Sequence, residues 1–364
     1  MLADQMRIDD AQAHLDAVRD WATGAPADQR FLYLFTTGWI AMSREDFSAS
    51  IAAYERALDQ PGDVIESGDL AQTYGNVAVS YAGMGAMRSA LAYDERRRAI
   101  VAQHEITGVS QAYLELNAAT ILMAVGRYRE ADSFLAKAEE RRAPDTSMLY
   151  LRWATLMFFL GQHARALRHL DHVDAVPGGY PIVKLAARAL RAQLCRAIRQ
   201  PVTNAAEMLS TADELALADG RIAARVRALL AHAEFGDPDD AQDHARRAAA
   251  LARERGLYGL QLAAQTLMLE QAVAHGQAAS VLDDVHRVIV LRETYESHAM
   301  YRARVGLAAY RVLTAAGDAS ALQVRARERE WITATAERDV PPLYRESFLQ
   351  RNPVNRALLT GGGD

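Results

Sequence analysis

The 364-residue sequence predicts an all-α fold: an array of about eight helix-turn-helix repeats with capping helices. Three observations predict it. A Gly followed five residues later by a small residue recurs at near-regular intervals along the chain. Steps of four and then three residues lead from each small residue to further apolar positions, the spacing of one helix face. Composition agrees, with 50% hydrophobic, 24% charged and only 7% aromatic residues, and abundant Ala suited to close helix packing.

The N-terminal segment, residues 1–28, carries Ala11, Leu15 and Val18 in "DDAQAHLDAVRDWA", the spacing of a second helix without a first. It is either a cap shielding the first repeat or the second helix of a repeat that starts upstream. Both readings stay open. Residues 29–335 form the array. "GWIAMSREDFSASIAAYERALDQPG" supplies Gly38, Ser50, Tyr54 and Ala57, with Glu45 where the turn Gly is expected. The marks then return as Gly85 and Ala90; Gly126, Ala131, Leu135 and Ala138; and Gly161, Ala166, Leu170 and Val173. Next come Ala205, Leu209 and Ala212 with Gln200 in the turn, followed by Gly236, Ala241, Ala245 and Ala248. Weaker copies sit at Gly276, Val281, Val285 and Val288, and at Gly317, Leu322 and Ala326.

The marked small positions, Ser50, Ala90, Ala131, Ala166, Ala205, Ala241, Val281 and Leu322, are 40, 41, 35, 39, 36, 40 and 41 residues apart. Each interval holds two helical segments, and Pro61-Gly62, Pro144 and "VPGGYP" punctuate several junctions. A turn Gly accepts a left-handed conformation at little cost. The small residue after it lets the second helix approach the first, where a large side chain would cost about 1–3 kcal/mol in overpacking. Residues 336–364 end the array, with a capping helix expected around residues 344–350 in "YRESFLQRNPVNRALL" and a flexible tail beyond it.

These residues resemble the tetratricopeptide repeat (TPR) family. One repeat shows its pattern as Asn117-Ala118-Ala119, Leu122, Gly126, Tyr128, Ala131 and Ala138; another shows Gly38, Phe47, Tyr54 and Ala57. The resemblance covers roughly residues 30–335 and implies a right-handed α-solenoid, a superhelix with a concave groove. The period is mostly nearer 40 than the family's 34 or so. Longer helices of this sort look like the TPR-like sensor and scaffold regions of bacterial signalling and transcription-regulatory proteins. The Phe-Leu, Asn-Pro and Asn-Arg ending is similar to tails of TPR regions attached to bacterial ATPase regulators.

Other function classes find little support. A net charge of −5 gives no electrostatic case for nucleic-acid binding. Of the 41 basic residues only Lys137 and Lys184 are lysine, a bias read first as a codon-composition effect. The single cysteine, Cys195, fits a reducing compartment and a packing role. No signal peptide or membrane span is expected, so a cytoplasmic location is. His163, His169 and His172 read as packing or surface residues, and "DPDDAQD" reads as a helix cap. No metal or cofactor site is expected. No phosphate loop or nucleophile elbow occurs, so the chain is expected to bind and not to catalyse.

In TPR arrays the first helix of each pair lines the groove. The residue fourteen before each marked position gives Thr36, Asn76, Asn117, Arg152, Arg191, Arg227, Leu267 and Ala308. Asn76 and Asn117 are amides able to clamp a ligand backbone, while Arg152, Arg191 and Arg227 offer forked donors to carboxylates or phosphates. Three residues further along come Trp39, Thr120 and Thr155, with Phe158 and Phe159 just beyond. The expected ligand is an extended peptide or acidic protein segment. A small-molecule-sensing solenoid that controls an attached ATPase or DNA-binding domain is the competing reading. In it the aromatic residues Trp39, Tyr113 and Phe158 outweigh the arginines.

Overall fold

The computed structural model describes residues 8–61, 65–106, 110–141, 146–176, 180–202, 205–218 and 221–361. Among the described residues all regular structure is helical. None of these helices is long and apolar enough to cross a membrane. The chain divides into two compact units, Met1–Gly108 and Val109–Asp364.

The first unit opens with α1 (Ile8–Ala17) and α2 (Arg19–Gly24). Two helical hairpins follow: α3 (Ala27–Ser43) with α4 (Phe47–Leu58), and α5 (Ser67–Met84) with α6 (Met87–Gln103). Helix α4 begins where sequence chemistry places it, because the Asp46 carboxylate accepts a hydrogen bond from Ala49 N at 3.0 Å. Gly38 is required by closeness: a Cβ there would lie 2.9 Å from the Tyr54 ring. Both expected turns are left-handed, at Gly85 (φ 90°) and, with a side chain, at Glu45 (φ 61°). Ser50 and Ser80, both fully buried, satisfy each other across the hairpins at 2.9 Å.

Among its described residues the second unit contains six hairpins. They are α7 (Ser110–Val125) with α8 (Tyr128–Glu140), α9 (Thr146–Phe159) with α10 (His163–Ala175), and α11 (Pro181–Ala197) with α12 (Ala205–Ala218). Then come α13 (Ile222–Phe235) with α14 (Pro238–Glu254), α15 (Tyr258–Ala274) with α16 (Leu282–Thr294), and α17 (Arg302–Ala315) with α18 (Ala321–Arg338). The short helices α19 (Arg345–Gln350) and α20 (Pro353–Thr360) end the chain. The first helix of each hairpin packs beside the first helix of the next, making one continuous inner wall from α7 to α17.

Burial follows the marked periodicity. Ala131, Leu135 and Ala138 are fully buried on α8, as are Ala166 and Leu170 on α10 and Ala245 and Ala248 on α14. Each buried Leu removes enough apolar surface to contribute about 2 kcal/mol. Three expectations are corrected. On α12 the buried set is Met208, Ala212 and Leu215, and Ala205 is only half-buried, so the register lies three residues later. The left-handed residue there is Arg199 (φ 59°), and extra chain separates it from α12. Gly236 has φ −80° and is not left-handed; the helix after it starts because the Asp237 side chain accepts from Asp239 N at 3.0 Å. On α18 Leu322 is 70% exposed and its neighbour Ala321 enters the core instead. Of the punctuating residues, Gly62, Pro144, Pro177, Gly178 and Gly179 lie outside the described residues.

The second unit also closes on itself. After α18 the chain returns to the bends of the first two hairpins. Arg129 N donates to Asp339 O at 2.6 Å, Ser347 Oγ donates to Leu160 O at 2.7 Å, and Asn352 Nδ2 donates to Phe159 O at 2.9 Å. Phe348, fully buried, sits 5.7 Å from the Tyr128 ring. Asn352 caps α20 as well, accepting from Val354 N at 3.0 Å and Asn355 N at 3.1 Å. The expected capping helix is thus present as α19. A second one, α20, follows it in place of the expected tail, apart from residues 362–364, which lie outside the described residues.

Candidate ligand-recognition site

Closure of the second unit leaves a cavity of about 780 Å³ on its inner wall. Helices α9, α11, α13, α15 and α17 contribute to its lining, and α20 covers part of it through Pro353, Val354 and Ala357. Its apolar surface includes Phe158, Tyr301, Leu307 and Tyr310.

A polar ladder crosses four successive inner helices along this wall. Arg304 on α17 donates through Nη1 to Glu234 Oε1 on α13 at 2.7 Å. Its Nε and Nη2 reach the two oxygens of Glu270 on α15 at 2.8 and 2.7 Å, a bidentate fork. Gln193 on α11 donates to both Glu234 oxygens at 3.3 and 3.1 Å. Burial by itself would lower the Arg304 pKa, but the Glu234 and Glu270 carboxylates outweigh it and hold it well above the usual value. Arg196 donates to the Glu234 carbonyl at 2.8 Å and lies 4.5 Å over the Phe235 ring. Among the described residues, the cavity therefore meets three guanidiniums (Arg196, Arg304, Arg311) against two carboxylates.

A second feature of the wall is the non-helical segment 295–301, between α16 and α17. Arg227 on α13 donates from Nη2 to His298 Nε2 at 2.9 Å. A guanidinium has no acceptor, so that ring nitrogen accepts and the imidazole is the neutral Nδ1–H form. Burial, and then the charges of Arg227 and Arg152, push His298 down to about 3. Arg152 is itself lowered, to about 10, by burial and by Arg227. Within the segment Glu296 and Ser297 are buried, and Glu296 accepts from Arg302 Nε at 3.2 Å. Tyr301 lies 5.0 Å from the Phe159 ring and its hydroxyl donates to Asn355 Oδ1 on α20 at 2.8 Å.

Neutral His298 gives an acid-sensitivity of definite sign. Between about pH 3 and 6.5 the unfolded chain carries a proton on this ring that the folded chain refuses, so stability falls as pH drops through that window. The contribution is at most about 1.4 kcal/mol per pH unit. Urea midpoints between pH 6.5 and 5 should decline less steeply for His298→Asn than for the parent chain. Equal slopes would show that the ring is protonated in the folded state.

The candidate residues named from the sequence separate. Arg152 and Arg227 come together at His298. Arg191 does not join them: its guanidinium bonds Asp171 and Asp174 on α10, both at 2.8 Å. Phe158 lines the cavity, Asn117 is half-buried on α7, and Tyr113 is 41% exposed. In the first unit Trp39 is half-buried, and Asn76 Nδ2 donates to the hydroxyl of buried Tyr54 at 3.0 Å, so that amide is engaged in packing.

His169 and His172 stack against the Tyr150 ring at 6.2 and 4.8 Å, with Trp153 5.9 Å from His169. His169 is half-buried and His172 is exposed. Cys195 is half-buried. Sequence reasoning missed Gln193, Glu234, Arg304, Arg311 and His298. One signal was present: Glu270 occupies the register of Trp39, Thr120 and Thr155, eleven residues before Val281.

No family model matches the chain, and no curated protein matches it in sequence. Solved structures similar to it include the following three. The first is Rap protein complexed with competence and sporulation factor, with TM-score 0.33, 14% identity, and coverage of 96% of this chain and 81% of that one. The second is a tetratricopeptide repeat protein from Parabacteroides merdae, with TM-score 0.38, 13% identity, and coverage of 78% and 98%. The third is the TPR domain of P58(IPK), with TM-score 0.25, 14% identity, and coverage of 92% and 96%. The consecutive helical hairpins of this chain themselves make the described fold all-α and TPR-like.

Proposed function

We propose that the chain is a non-enzymatic recognition module that takes a short segment of a partner, acidic in character, at the inner wall of its second unit. The observation that carries this reading is the cavity itself. Its volume of about 780 Å³ lies within the range typical of ligand pockets. It joins apolar walls to a small set of oriented charged groups, with guanidiniums in excess. Because α19 and α20 fold back onto the wall, a long peptide running its full length is disfavoured and a short one is accommodated. Segment 295–301 is compatible with the same reading, since a non-helical stretch is held on this wall through its His298 side chain by Arg227.

The cavity also suits the competing reading, a sensor of a small molecule, because α20 partly covers a space of metabolite size. Either way the module acts by complementarity, and as part of a bacterial regulatory protein it would signal through the contacts of α20. Titration with pentapeptides, followed by Trp fluorescence, distinguishes the two readings. Saturable binding of an acidic pentapeptide that Ala357→Trp abolishes, with helix content unchanged, is expected. Acidic peptides that bind Ala357→Trp as well as the parent chain would place their site elsewhere and remove the proposal.

A further inference from the structure

We infer that the cavity's ligand is an amphipathic anion, an apolar body carrying one acidic head, and that Arg311 is the head's anchor. This deepens the reading above and rests on it. Of the three guanidiniums that line the space, Arg304 is consumed by Glu234 and Glu270. Arg196 is held by the Glu234 carbonyl and the face of Phe235. Arg311, half-buried on α17, has no hydrogen-bond or ion-pair partner among the described residues. A half-buried guanidinium without an anion offers a ready site for a carboxylate or similar group, to which it can present two parallel donors.

The rest of the lining decides the body. Tyr310, Leu307, Phe158 and Val354 provide aromatic and aliphatic surface in the cavity that Arg311 lines. A purely ionic ligand would leave that surface wet, and a neutral apolar one would leave Arg311 unmatched. The ladder of Arg304 with its two carboxylates is net negative and stands on the same wall, so a second acidic group placed against it is repelled. One head on an apolar body is the chemistry that satisfies the whole surface. A peptide's terminal carboxylate beside an apolar side chain supplies it, and so does a free organic acid.

Two dyes of nearly the same shape test the charge. 8-Anilinonaphthalene-1-sulfonate carries a single anionic group, and N-phenyl-1-naphthylamine is its neutral counterpart. The folded parent chain should bind both at one site, shown by loss of both signals in Ala357→Trp. Arg311→Gln should weaken the sulfonate by about tenfold or more, the scale of one lost charge-assisted interaction, and leave the neutral dye nearly unchanged. Displacement of the sulfonate by decanoate, or by the tripeptide Ala-Leu-Phe with a free but not an amidated terminus, would support the inference and identify the source of the head. Equal weakening of both dyes by Arg311→Gln, or none, overturns it while leaving the cavity reading intact. If neither dye binds the parent chain, or both bind Ala357→Trp unchanged, the cavity reading falls and this inference with it.

Discussion

Gly161→Ala should unfold the closure of the second unit, at a cost of about 2–4 kcal/mol. Two effects add there. Gly161 has φ +71°, so any L side chain carries the left-handed penalty of about 1–2 kcal/mol. A Cβ at this position would also meet the Ser347 carbonyl oxygen, with Asn352 N 3.0 Å away. Those are backbone atoms of the returning segment and cannot swing aside like a side-chain tip. Gly317→Ala is the matched control. Its φ is +73°, but nothing lies within 4 Å of its Cβ, so it isolates the conformational penalty. Equilibrium denaturation should rank Gly161→Ala well below Gly317→Ala. Hydrogen exchange should show amides of α19 and α20 losing protection in the first variant alone. Equal effects at both glycines would mean that the returning segment is not held against Gly161.

That closure marks the boundary of what the sequence discloses. Local rules are legible in it: the bends at Gly85, Gly126 and Gly161 are all left-handed, and Ala90, Ala131 and Ala166 are fully buried. These features depend on residues within one hairpin, and their spacing is written in the chain. The exceptions have local causes too. Arg199 makes the bend without a glycine, and extra residues before α12 move the packed face from Ala205 to Met208. Ala321 displaces Leu322 because a one-residue change rotates a helix by about 100°.

The candidate site was less legible, because its parts meet through tertiary return. Arg152 and Arg227 are reached by counting along the repeat, although neither lines the cavity. Their neighbour His298 lies on a segment with no helical period and no motif to announce it. The residues that tie α19 and α20 down, Ser347 and Asn352, look like ordinary turn and cap residues until Leu160 and Phe159 are brought beside them. Side chain to backbone bonds across more than 180 residues leave no periodic trace.

The ladder offers the other large effect. Arg304→Met should destabilise the second unit by about 3 kcal/mol, the lower end of what breaking a buried ion pair costs. The lower end applies because Arg304, Glu234 and Glu270 keep 18%, 12% and 25% side-chain exposure, so water screens part of the change. Methionine replaces most of the aliphatic volume, so the loss is electrostatic: two carboxylates remain close together on the inner wall without their shared cation. Stability should therefore return when the charges are removed together. Arg304→Met combined with Glu234→Gln and Glu270→Gln is expected to recover most of the loss, since neutral amides can still bond one another and Gln193. Urea midpoints of the single and triple variants, beside exposed Arg329→Ala as a reference, make the comparison. A single variant no less stable than Arg329→Ala, or a triple variant as weak as the single, would show that Arg304 contributes packing and not charge.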